Sequence, residues 1–156
     1  MQSLKKIQQL PITLDEAWDF FSEPGNLNKI TPPGMNFRIT SDPGDGRMYQ
    51  GMIITYKISP LWGIPLTWVT EITHVQERKF FVDAQLSGPY KFWHHQHLFR
   101  EIHGGVEMTD ILHYALPYGF LGRWMENIFI KKKVTGIFAY REKVLYNYFS
   151  QMRTDQ

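Results

Sequence analysis

The chain has 156 residues, a formal net charge of +2 and no cysteine. That length suits one domain burying roughly 70% of its unfolded surface, and 43% hydrophobic against 21% charged residues is the make-up of a folded globule. Absent cysteine excludes disulfides, thiolate zinc sites, thiol nucleophiles and Cys-ligated iron–sulfur clusters, and 17 basic against 15 acidic residues supply no basic stripe for nucleic acid.

Met1 to Ile7 has no apolar signal-peptide core, and no window approaches the ~18 apolar residues of a membrane helix. A cytoplasmic protein is expected. Aromatic residues reach 15%, so large rings either fill a thick core or line a cavity.

Residues 3–11 read as a strand ending at Pro11. Thr13 with Glu16 makes a capping box for a helix whose apolar face is Leu14, Ala17, Trp18 and Phe21. Ser22 to Gly25 ends it, and Leu27 to Ile30 suggests a second short helix before Pro32-Pro33-Gly34. The period then changes to two. Strands are expected over Asn36–Ser41, Met52–Ser59, Leu66–Val75, Lys79–Leu86, Trp93–Ile102 and Val106–Leu116, with short turn-rich links that favour an antiparallel meander. Residues 119–150 form a long helical region with one stripe at Leu121, Trp124, Met125, Ile128 and Phe129. A second stripe holds Val134, Ile137, Phe138, Arg141, Val144, Leu145 and Tyr148, with Lys131-Lys132-Lys133 and Gly136 between the two. A kink or a shift of buried face is expected there.

A two-residue Gly104-Gly105 loop would pair His103 with Val106, and hence Phe99 with Asp110 and His97 with Leu112. The face bearing Trp93, His95, His97, Phe99, Met108, Asp110, Leu112 and Tyr114 is the more apolar and should point inward. His95, His97 and Asp110 are then buried polar groups that need partners, at a cost of about 1–3 kcal/mol each if unpaired. His97 and Asp110 would meet diagonally. On the preceding strand, hydrophobicity alone puts Phe80, Val82 and Ala84 inside and Asp83 and Gln85 outside; a one-residue change in the preceding loop reverses this.

The element order resembles the helix-grip fold of the START-like, Bet v 1-like (SRPBCC) superfamily: α+β, with a curved antiparallel sheet of about seven strands around a long C-terminal helix. The resemblance covers essentially the whole chain, residues 1–156, as one domain. More narrowly, Phe81-x-Asp83-x-Gln85-x-x-Gly88-Pro89, Trp93-x-His95-x-His97-x-Phe99 and Gly104-Gly105-x-x-Met108-x-Asp110 resemble a bacterial ligand-binding subgroup labelled polyketide cyclase/dehydrase-like. That resemblance implies a cavity for an apolar small molecule and turns Asp83 and Gln85 inward. Tyr56, Trp68, Trp93, Tyr114, Trp124 and Phe138 become candidate lining residues, and Asp83, Gln85, His95, His97 and Asp110 candidate polar contacts.

Three functions follow. The first is binding of a lipid, isoprenoid or polyketide-like molecule, anchored by His95, His97 and Asp110. The second is a cyclase or dehydratase using the same residues for acid–base chemistry. The third is a module for a protein partner, such as a nucleotide-sugar epimerase-like protein or cell-division machinery. His95 and His97 could ligate a metal with Asp110 or His74, but no HExxH-type spacing exists, and neither a metal nor another cofactor is expected. Lys131-Lys132-Lys133 reads as a solvated face, or as a transient contact with an anionic membrane surface. Arg141 reads as a snorkelling side chain or the partner of an inward carboxylate.

Overall fold

The computed structural model describes residues 1–41, 46–59, 63–117 and 130–154. Its first element, β1 (Gln2–Leu10), alternates between half-buried and exposed residues, as a strand with one covered face must. Helix α1 (Leu14–Phe21) begins with the expected capping box. The Glu16 amide donates to Thr13 Oγ1 at 3.2 Å, and the Thr13 amide donates to Glu16 Oε2 at 2.7 Å. Such a cap stabilises a helix by about 1 kcal/mol. α1 buries Ala17, Trp18, Phe20 and Phe21. Two 3-10 turns follow, Pro24–Asn28 and Pro33–Met35; Pro24 starts the first of them instead of merely ending α1.

The remaining strands are β2 (Arg38–Ile39), β3 (Ile53–Ile58), β4 (Leu66–Gln76), β5 (Phe80–Ser87), β6 (Phe92–Ile102) and β7 (Gly105–Ala115), and the chain closes with α2 (Lys131–Thr154). All join one antiparallel sheet in the order β1-β7-β6-β5-β4-β3-β2. The strand expected over Asn36–Ser41 is shorter in the structure: Arg38 and Ile39 alone pair, with Lys57 and Tyr56. Elsewhere the expected limits hold within a residue or two. This is the helix-grip fold.

The β6–β7 hairpin differs from the expected register by two residues. His103 and Gly104 make the turn, Ile102 pairs with Gly105, and His97 lies directly opposite Asp110. The reason is steric. A Cβ on Gly105 would stand 2.2 Å from the Leu10 carbonyl oxygen, so Gly105 is the strand residue that lets β1 close against β7. Gly104 supplies the positive φ of the turn, at 82°. A shift of two leaves every side chain on its expected face.

The β4–β5 hairpin corrects the hydrophobicity reading. Its loop is Glu77-Arg78-Lys79, with Arg78 at φ 59° and Gln76 opposite Phe80. That places Phe81 and Asp83 inward. A register shift between Ile72 and His74 then leaves His74 exposed while Ile72 stays buried. His74 therefore cannot join the inner histidines.

Helix α2 buries Val134, Phe138, Leu145 and Phe149. The expected stripe extended to Tyr148, which is 36% exposed; Phe149 is the buried member of that turn. Leu145 and Phe149 pack with Trp18, Phe20, Phe81 and Phe99. Val134 and Phe138 pack with Leu112 and Tyr114 of β7. Residues 121–129, the first expected stripe with Trp124, lie outside the described residues.

Candidate functional site

Between the sheet and α2 lies a cavity of about 380 Å³. β3 and β4 contribute Ile54, Tyr56, Trp68, Thr70 and Ile72, alternate residues whose side chains share one face. Asp83, Trp93, His95 and His97 come from β5 and β6. Helix α2 presents Lys133, Ile137 and Arg141, spaced by four residues and therefore aligned along the helix.

Of the residues singled out by sequence, Tyr56, Trp68, Asp83, Trp93, His95 and His97 line this cavity. Gln85, Asp110, Tyr114 and Phe138 do not. Gln85 is consumed in a turn: its amide nitrogen donates to the Tyr90 carbonyl at 2.6 Å, and its oxygen accepts from the Tyr90 amide at 3.3 Å. Tyr114 and Phe138 pack one layer behind the wall, Tyr114 edge-on to Tyr90 and Phe138 edge-on to His95. Asp110 sits beneath the two imidazoles. Sequence reading missed Thr70, Lys133 and Ile137. Thr70 is legible from its alternation with Trp68 and Ile72, whereas the run Lys131-Lys132-Lys133 by itself points all three side chains to solvent.

The polar floor of the cavity, Asp83, His95 and His97, is tied to Asp110 beneath it in a set of four linked side chains. His95 Nε2 lies 2.9 Å from Asp110 Oδ1, and His97 Nε2 lies 2.8 Å from Asp83 Oδ2. His95 Nδ1 stands 3.5 Å from Asp83 Oδ2. His97 Nδ1 is 2.9 Å from Asp110 Oδ1 but out of line for a hydrogen bond, so that contact is an ion pair. Trp93 Nε1 donates to Asp83 Oδ1 at 3.3 Å. The rings are clamped by packing: Phe81 stacks on His97 at 4.1 Å, and Trp93 meets His95 edge-on at 6.2 Å. His97 against Asp110 is a directly opposed cross-strand pair, and Asp83 is directly opposite His95.

This network sets the ionisation of its members. Burial alone would raise both carboxyls, but contacts with His95 and His97 outweigh it and hold Asp83 and Asp110 below the usual carboxylate range. Burial likewise disfavours charge on both imidazoles. For His95 burial and the neighbouring His97 prevail, and its pKa falls. For His97 the two carboxylates prevail, and its pKa rises. The quartet thus favours two ionised carboxylates and a proton on His97 over one on His95.

Arg141 faces the cavity without a carboxylate partner among the described residues. Its guanidinium carbon lies 5.4 Å from the centre of the Phe138 ring, and its Nε is buried with no acceptor. The Trp68 indole N–H is likewise buried without an acceptor among the described residues, while Tyr56 OH and Thr70 Oγ1 bond each other at 3.1 Å.

No protein-family model matches the chain, and no curated protein does. Solved structures share its fold. Protein CV1439 from Chromobacterium violaceum superposes with a TM-score of 0.72 at 8% identity, over 94% of this chain and 96% of that one. Ara h 8.0201 gives 0.65 at 14% identity, over 92% and 97%. A nucleoside-diphosphate sugar epimerase from Corynebacterium glutamicum gives 0.65 at 23% identity over 92% of this chain, which corresponds to 28% of that larger chain. These likenesses establish the Bet v 1-like, helix-grip fold.

Proposed function

We propose that the chain binds a small, mainly hydrophobic molecule in the cavity beneath α2, its polar end directed at Asp83, His95 and His97. The observation that carries this reading is the wall itself: about 380 Å³ enclosed mostly by aliphatic and aromatic side chains, with a few convergent polar groups at one place. That volume falls in the range of small-molecule sites, about 300–1,000 Å³. An apolar body gains about 25 cal/mol for each Å² removed from water, and the polar floor fixes its orientation. Native mass spectrometry of freshly purified protein, before and after denaturation, should reveal a carried apolar molecule. Saturable one-to-one binding of an anilinonaphthalene sulfonate probe is expected, and Ile137→Trp, which fills the cavity from α2, should abolish it. A wild-type protein that carries nothing and binds no probe stoichiometrically would refute the reading.

A second reading has its own support. His95 and His97 share the same carboxylates yet are pushed in opposite directions, the pattern that separates an acid from a base. An enzyme of the cyclase or dehydratase type would lose turnover in His97→Gln while retaining ligand affinity. Parallel loss of both argues for an anchor alone.

A further inference from the structure

The two nitrogens of each inner imidazole are used differently. One nitrogen of each ring contacts the same oxygen, Asp110 Oδ1: His95 Nε2 at 2.9 Å and His97 Nδ1 at 2.9 Å. His95 Nε2 is aligned to donate to that oxygen, whereas His97 Nδ1 is not, and the aligned contact of His97 is Nε2 with Asp83 Oδ2. The other two, His95 Nδ1 and His97 Nε2, face Asp83 Oδ2 at 3.5 and 2.8 Å. Once His97 gives up its Nε2 proton, three electron-pair donors converge on one point, where a metal cation can take the proton's place.

We propose that Asp83, His95 and His97 form a two-histidine, one-carboxylate site for a divalent transition-metal ion, open toward the cavity and braced from behind by Asp110. One ligand atom from each of the three residues lies within 4.8 Å of the others. Ligands on a first-row ion with bonds of about 2.0–2.2 Å stand roughly 3 Å apart, and the 2.8 and 3.5 Å separations from Asp83 Oδ2 bracket that spacing. Asp110 occupies the place that outer carboxylates take in histidine metal sites, where they fix the tautomer and orientation of the ligands. The charges also balance, since two buried carboxylates with two neutral imidazoles are neutralised by one divalent ion. Mixed imidazole and carboxylate donors suit iron(II), manganese, cobalt or zinc rather than calcium or magnesium. The three ligands line the cavity and Asp110 does not, so the free coordination positions face the space beneath α2. Spacing in the sequence hides such a site, because Asp83 belongs to β5 and was read outward by hydrophobicity. The ion needs no apolar occupant, so this inference stands or falls apart from the ligand-binding reading.

The test uses the whole chain, freed of metal with EDTA and titrated with Co²⁺ alone. One Co²⁺ per chain is expected, with visible d–d bands that Zn²⁺ displaces. His97→Gln and Asp83→Asn should weaken binding by about 100-fold or more, and Asp110→Asn by about 10-fold. His94→Ala is the control, because His94 and His113 form a half-buried pair on the opposite face, ring centres 6.4 Å apart. No stoichiometric Co²⁺ binding by the wild type would overturn the proposal, as would binding that His94→Ala abolishes and His97→Gln retains. Should His97→Gln fail to fold, the wild-type Co²⁺ complex decides alone: paramagnetically shifted N–H signals from two imidazoles support the site, and their absence overturns it.

Discussion

Replacing Asp110 with Asn tests the buried quartet most directly. Asp110 is 7% exposed, and its Oδ1 holds both His95 Nε2 and His97 Nδ1 at 2.9 Å. Asn preserves the volume but removes the charge that raises the His97 pKa and aims an amide at one of the rings. Breaking a buried ion pair by removing one partner costs about 3–5 kcal/mol. Asp83 remains as a second carboxylate, so we expect the lower end, about 3 kcal/mol, a more than 100-fold loss in the folding equilibrium. For a chain of this size Tm should fall by about 6–12 °C. The assay is urea unfolding of EDTA-treated protein, followed by tryptophan fluorescence, with the slope m compared between variants. Asp19→Asn serves as the reference: its 3.0 Å pair with Arg47 has side chains 59% and 67% exposed, and its loss should cost no more than about 0.5 kcal/mol. The sign against pH follows from the depressed Asp110 pKa. Its contribution is complete above the unfolded value, about pH 3.9, and disappears as pH falls toward the folded value, so the two proteins should converge on acidification. If Asp110→Asn costs no more than Asp19→Asn, the carboxylate is not buried against the imidazoles and the reasoning fails.

Gly105→Ala should destabilise by about 2–3 kcal/mol, since its Cβ meets backbone at Leu10; Gly136→Ala, with nothing within 4 Å inside α2, should instead stabilise by about 0.5–1 kcal/mol. Equal effects in calorimetry would contradict the β6–β7 register. Burial raises the Tyr56 and Tyr90 phenols above their ordinary value of 10.0. The stability gained by keeping them neutral is complete below about pH 10 and declines as pH rises further, because unfolded phenols ionise first. In an ultraviolet phenolate titration these two should appear only with alkaline unfolding; all eight tyrosines ionising together in folded protein would refute the burial.

Sequence periodicity by itself specified the element order, the capping box at Thr13 and the inward face of β6 and β7. Those features depend on local chemistry: a side chain three residues from its amide, or alternation along one strand. It also brought His95, His97 and Asp110 to one face, because the two-residue error in the hairpin preserves parity. Tertiary structure decided the rest. Gly105 belongs to the strand because Leu10, ninety-five positions earlier, leaves no room for a Cβ. Asp83 turns inward although hydrophobicity sends it out, since the cost of burying a carboxylate is offset by histidines two strand positions apart on a neighbouring strand. Asp110 lies behind the cavity wall, and Gln85 is spent on a turn, for the same reason. Which polar groups meet depends on long-range register, and register is fixed by steric and electrostatic fit between strands, which no local pattern encodes.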